Sequence, residues 1–180
     1  MYGMIHRAAR TMSIETFGEA AFNAMAAEAG FDESDFLSAQ VYPDDRTFAL
    51  VTAIARRAGL SVEDALRAFG RFWIDYADGS AYAPVMRMNG DTLAEFLSNL
   101  DRMHASIQRV MPETRMPSFE VLEAGPRRID VLYCSQRTGL EPFVAGLMEG
   151  LMQRFGHEGT VAHAAAPEGT LFSLLLAAPN

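Results

Sequence analysis

The stretch Arg128–Arg137, RIDVLYCSQR, decides how the last third of this chain folds and what it can hold. RIDVL is an apolar extended segment, and residues two apart on a strand share a face. Continued through YCSQR, that geometry places Tyr133, Ser135 and Arg137 side by side at i, i+2 and i+4. A phenol, a hydroxyl and a guanidinium aimed at one point suit an anionic group, because arginine offers five fixed donors matched to carboxylate or phosphate. Cys134 falls on the opposite face, where it reads as a small core residue, with redox or thiol modification as the alternative.

Working outward, SFEVLEA and RRIDVLYCS flank a GPR turn and predict a hairpin. GLEPFVAGLMEGLMQRF returns to helical spacing, and EGTVAHAAA with GTLFSLLLA forms a second strand pair around PEG. Before Pro117 the pattern is mainly helical, interrupted by the turn formers and acids of GFDESDFLSAQVYPDD. A first segment runs from about Phe17 to Glu28, and RTFALVTAIARRAGLS is stopped by Gly59. Ser61 then opens SVEDALRAFGRFWIDYA, with Glu63 and Asp64 in its first turn. DGSAYAPVMRMNGD reads as loop, and TLAEFLSNLDRMHASIQRVM as one helix capped at Asp91 or Thr92, with Glu95 completing the capping signal. The expected fold class is α+β: a helical portion over about 1–115, then a mixed portion over about 116–180 with a four-stranded antiparallel sheet and an inserted helix, all within a single domain, 1–180.

Composition narrows the function. A chain of 180 residues with net charge −8 lacks the clustered Lys and Arg of a nucleic-acid surface. Twelve Phe and eleven Met suit either an ordinary core or the lining of a large apolar cavity. One cysteine excludes an internal disulfide framework. No run reaches transmembrane length and the N-terminus lacks a signal-peptide core, so a soluble, cytoplasmic protein is expected, with no membrane and no nucleic acid among its partners. No Ser/His/Asp arrangement, phosphate loop or nucleotide fingerprint stands out, and the acids around Asp32–Asp45 read as solvated loops.

His104 shares an apolar stripe with Leu97, Leu100, Met103 and Ile107. Two readings stand: a satisfied core histidine, or a neutral imidazole ligating the metal of a buried cofactor. A zinc site built from protein side chains is poorly supported, since His157 and His163 have no CxxC or HExxH beside them. A haem would join the two observations. It has an iron that takes an imidazole, an apolar ring needing a Phe/Met/Leu pocket, and propionates needing donors such as those of Tyr133, Ser135 and Arg137.

The opening MYGMI, AFGRFW, GDTLAEFLSNLDRMH, PSFEV and above all YCSQRTGL followed by GLMEGL resemble the haem-nitric oxide/oxygen binding (H-NOX) family, related to the haem domain of soluble guanylate cyclase. The resemblance covers essentially the whole chain and implies haem b, lying between the helical and mixed portions, as cofactor. It implies that His104 is the proximal iron ligand, that Tyr133, Ser135 and Arg137 hold the propionates, and that Pro117 presses on the porphyrin. It places Ile5, Trp73, Phe143 and Leu147 in the cofactor pocket. Some family members bind oxygen through a distal tyrosine; the matching position here is Phe143, with Pro142 as the neighbouring register, and neither has a hydroxyl. Trp73 fills space or donates through its indole nitrogen, and Tyr2 and Tyr76 are looser candidates.

The resemblance thus implies a non-enzymatic gas sensor, for nitric oxide with carbon monoxide as a second ligand. Its signal would pass through weakening of the iron–His104 bond and haem relaxation. The implied partner is a separate histidine kinase or cyclic-di-GMP enzyme, as in the stand-alone bacterial forms. The alternatives are an oxygen sensor or carrier using Trp73, and a haem-free interaction module.

Overall fold

Large apolar residues at helical spacing build most of the first half of the chain, and a set of small buried ones builds the rest. In the computed structural model, which describes residues 1–178, the chain forms two compact units. The first is Met1–Phe69 and the second begins at Gly70. The first holds α1 (Gly3–Phe17), α2 (Glu19–Glu28), a 3-10 turn (Glu33–Phe36), α3 (Asp44–Ala58) and the start of α4 (Val62–Asp78). Periodicity placed the first helix at about Phe17, yet α1 is already complete there and Gly18, at φ 83°, separates it from α2. The buried face of α1 is Gly3, His6, Ala8, Ala9 and Ser13, which are small or polar and give no apolar stripe to read. Ser61 caps α4 as expected, accepting the Asp64 N–H at 3.0 Å while its hydroxyl donates to the Asp64 carboxylate.

The core of this first unit is organised around His6, which has no exposed surface. Its Nδ1 lies 2.9 Å from the Asp35 carbonyl and its Nε2 2.8 Å from the Thr47 hydroxyl. A carbonyl only accepts, so Nδ1 carries the proton and Nε2 receives the threonine hydroxyl. Phe31 meets the ring edge-on at 5.1 Å.

The second unit contains the remainder of α4, then α5 (Ala83–Arg87), α6 (Leu93–Ser98), α7 (Leu100–Val110), β1 (Ser118–Ala124), β2 (Arg128–Cys134), α8 (Glu141–Arg154), β3 (Gly159–Ala166) and β4 (Gly169–Leu176). The four strands form one antiparallel sheet in the order β1-β2-β4-β3, with α8 inserted between β2 and β3, as the sequence predicts. Alternation does the rest: Ile129, Val131 and Tyr133 face the core beside Phe172 and Leu174, while Arg128 and Asp130 pair on the other face at 2.9 Å. Leu93, Phe96, Leu97 and Leu100 close that core from the helical side.

Two helical expectations are corrected. DGSAYAPVMRMNGD contains the single turn of α5. TLAEFLSNLDRMHASIQRVM is divided at Asn99, whose N–H is shared between the Glu95 and Phe96 carbonyls and whose side-chain amide donates to the Asn89 carbonyl at 2.9 Å. The Thr92–Glu95 capping box at its start is present. Among the described residues no helix is long and apolar enough to cross a membrane.

His6 gives the fold a pH dependence. Burial holds its imidazole below the ordinary value of 6.5, the Asp35 carbonyl opposes this, the N-terminal ammonium reinforces it, and the Asp35 carboxylate and Arg46 add smaller effects of opposite sign. The folded state therefore prefers the neutral ring, so its stabilisation is complete above pH 6.5 and is lost as acid protonates the unfolded chain first. Denaturant unfolding at neutral and at mildly acidic pH should show the gap between wild type and His6→Gln narrowing on acidification. A constant gap would show that His6 does not titrate between the two states.

Candidate functional site

His104 sits on α7, half-buried, with its ring 5.7 Å from that of Phe119. Its Nδ1 lies 3.2 Å from the carbonyl oxygen of Pro117, the residue just before β1. As with His6, the acceptor is a carbonyl, so the proton stays on Nδ1. Nε2 keeps its lone pair for a metal. Burial pushes the imidazole below its ordinary range, against the upward pull of the Pro117 carbonyl and Asp101. The ring is thus neutral, the form that ligates a metal.

The second cluster is formed by β2 and the turn after it. Tyr133 is buried in the last turn of alternation, 5.2 Å from Phe119 across the β1–β2 pairing and edge-on to Phe172 at 5.9 Å. Its phenol is raised by burial, lowered by a hydrogen bond with the Ser135 side chain, raised by Glu141 and lowered by the Arg137 charge. The strand stops at Cys134, so Ser135 and Arg137 do not continue its face as alternation predicts. A turn brings them back: the Ser135 hydroxyl oxygen accepts the Arg137 N–H at 3.0 Å, and the Arg137 guanidinium donates to the Arg115 carbonyl at 2.6 Å. The guanidinium therefore reaches the same α7–β1 connection that carries Pro117. Cys134 is half-buried on the other face, its thiol donating to the Glu168 carbonyl at 3.0 Å.

The third set lies on α4 and α8. Gly70 lets the helices touch backbone to backbone: a Cβ there would stand 2.2 Å from the Phe143 carbonyl oxygen and 2.7 Å from the Leu147 nitrogen. Phe143 and Leu147 are half-buried in the first turns of α8, and Trp73 is half-buried on α4. Leu147 and Trp73 pack on the core cluster, and the indole lies 5.8 Å from the Tyr76 ring and 6.3 Å from that of Tyr82. Pro142 occupies the first turn of α8, where its missing N–H is harmless. Ile5 is on α1 of the first unit, half-buried, and Tyr2 bridges to Val41.

One residue escapes a reading by motif. The Asp101 carboxylate accepts from the Ser118 hydroxyl at 2.6 Å and from the Phe119 N–H at 2.7 Å, tying α7 to the start of β1. Its only signal in sequence is its place one turn before His104.

The chemistry of this donor set fits a haem. It offers one neutral imidazole with a free lone pair, a hydroxyl–phenol–guanidinium cluster for carboxylates, and aromatic and aliphatic side chains beside them. Among the described residues no group of three or more His, Cys, Asp and Glu side chains is placed to hold a metal ion by itself.

Comparison with known proteins agrees with this reading. The haem-NO-binding family matches residues 2–163 of the chain. The chain is 28% identical over 159 residues to soluble guanylate cyclase gcy-35 of Caenorhabditis elegans, covering 86% of this chain and 23% of that protein. Over a shorter segment it is 32% identical to the guanylate cyclase soluble subunit beta-2 of Rattus norvegicus, across 94 residues, 52% of this chain and 14% of that one. The chain thus spans about a quarter or less of these relatives. In fold it is similar to an H-NOX protein from S. oneidensis in the Fe(II)NO ligation state, with TM-score 0.86 and 19% identity over 99% of this chain and 100% of that one. An Fe(II) unliganded H-NOX protein from K. algicida superposes with TM-score 0.81 and 17% identity, over 99% of this chain and 98% of that one.

Proposed function

The chain belongs to the haem-NO-binding family, and from that premise we propose that it is a haem-based gas sensor, tuned to nitric oxide, acting as a ligand-binding signalling module and not as an enzyme. The observation that supports this is the tautomer of His104: the Pro117 carbonyl accepts from Nδ1–H, which leaves Nε2 as the nitrogen that would ligate iron. When bound, haem b supplies a ferrous iron that takes diatomic gases. Tyr133, Ser135 and Arg137 would hold the propionates, Pro117 would press on the ring, and Trp73, Phe143 and Leu147 would contribute apolar walls that exclude water.

Selectivity follows from those walls. Bound oxygen carries partial negative charge and gains from a nearby donor, whereas nitric oxide depends mainly on its bond to iron. Phe143 offers no hydroxyl. The same lack of a hydroxyl at Pro142 means that a one-residue shift would not restore the donor.

Signalling would use the imidazole's two attachments. A gas that weakens the iron–His104 bond would relax the haem and release the pull on α7 together with the start of β1 that is tied to it, and the partner would read the movement of these elements. A separate histidine kinase or cyclic-di-GMP enzyme is the proposed partner, with the whole chain, 1–180, acting as one sensor and carbon monoxide as a second ligand.

The ligand assignment is tested by His104→Gly, which should purify with little haem unless imidazole is supplied. Equal haem content and an unchanged ferrous spectrum would refute it. For the propionate clamp, Arg137→Ala should speed haem transfer to an acceptor by roughly 10- to 100-fold, more than Ser135→Ala, because it removes a charge as well as hydrogen bonds. The reverse order would count against the clamp. Phe143→Tyr should raise oxygen affinity by about 10- to 150-fold, the worth of one strong donor, in a protein whose wild type binds nitric oxide and carbon monoxide but does not retain oxygen in air. Retention of oxygen by the wild type, abolished by Trp73→Phe, would instead establish the indole as donor.

A further inference from the structure

The Pro117 carbonyl can direct the His104 imidazole only if the approach of β1 to α7 is itself held in place. Pro117 has no N–H with which to anchor itself, and the loop before it bends through Pro112. The anchor comes one residue later. Ser118 and Phe119 both donate to the Asp101 carboxylate, at 2.6 and 2.7 Å, on separate oxygens. Asp101 and His104 are three apart on α7, one turn, so their side chains rise from the same face. A closed circuit results: Asp101 to Ser118, back one residue to Pro117, across to His104 Nδ1 at 3.2 Å, and down one helical turn to Asp101.

We propose that Asp101 is a positioning residue for the proximal imidazole. By clamping the first two residues of β1 onto α7, it sets where the Pro117 carbonyl stands and hence the orientation of the His104 ring. The Phe119 ring, 5.7 Å from His104 and 5.2 Å from Tyr133, is aligned by the same clamp, which links the imidazole to the Tyr133 cluster. This rests on the reading of His104 as iron ligand, but its geometry concerns only Nδ1 and the protein.

The test uses the full chain as purified, in the ferrous state with carbon monoxide, which leaves it diamagnetic. The His104 Nδ1–H is assigned by its loss in His104→Gly and its exchange with solvent is measured by NMR. In Asp101→Ala that proton should exchange about tenfold faster as the Pro117 carbonyl drifts, and in the reduced protein without carbon monoxide the iron–histidine stretch read by resonance Raman should shift. Asp101→Asn should restore both readouts towards wild type, since its amide oxygen still accepts from Phe119 and its NH2 can donate to the Ser118 oxygen. Ser118→Ala should lie between, and it decides the matter should Asp101→Ala fail to fold. Lowered thermal stability with unchanged Nδ1–H exchange in Asp101→Ala and Ser118→Ala would reduce Asp101 to a structural contact and overturn the proposal. Failure of the ligand reading shows separately, as full haem content in His104→Gly.

Discussion

A neutral imidazole has one proton to place, and on half-buried His104 it is Nδ1–H that donates to the Pro117 carbonyl. The consequence is chemical: Nε2 is left with a lone pair in a neutral ring. It is also architectural, since the carbonyl must be brought to α7 by the strand that follows it. The β1–β2 hairpin does this, and its register sets Phe119 opposite Tyr133, so one hairpin carries the histidine's partner and the start of the phenol–hydroxyl–guanidinium cluster. Arg137, by donating to the Arg115 carbonyl, returns the far end of that cluster to the α7–β1 connection. The His104 imidazole, the Phe119 ring and the guanidinium end of the cluster therefore converge on one short stretch of backbone.

The strands and the inserted helix were legible because their signals are local: alternation in RIDVLY, turn residues in GPR and PEG, and helical spacing in α8. His104 stands out in the sequence because a polar residue interrupts an apolar stripe. What escaped depended on tertiary contact. Alternation carries Ser135 and Arg137 onto the Tyr133 face, but the strand ends at Cys134 and a side-chain-to-backbone bond from Arg137 N–H to Ser135 does the work that strand geometry was expected to do. Asn99 divides one predicted helix because a side-chain bond to Asn89, ten residues earlier, is invisible in periodicity. Helix α1 buries alanine, serine and histidine, so its face has no large apolar signature. Asp101 looks like any first-turn acid until Ser118 and Phe119 are seen to donate to it.

The expected roles of Trp73, Phe143 and Leu147 came from resemblance, and packing supplies a physical reason for their proximity. Gly70 removes the side chain that would hold α8 away from α4, so Phe143 and Leu147 sit where a Cβ on α4 could not be tolerated. Trp73 follows one turn later on α4, stacked among aromatic rings. In the proposed pocket such walls would exclude water and strengthen any electrostatic interaction inside, which would make the presence or absence of one hydroxyl decisive for a polar ligand.

The most direct measurement is the absorption spectrum of the purified, reduced protein without air, at a known haem-to-protein ratio, before and after nitric oxide. The account predicts equimolar haem, a spectrum typical of ferrous haem carried by a single histidine, and a complete change on adding the gas. Protein that stays folded but takes up no haem, or a reduced spectrum indifferent to nitric oxide, would contradict it.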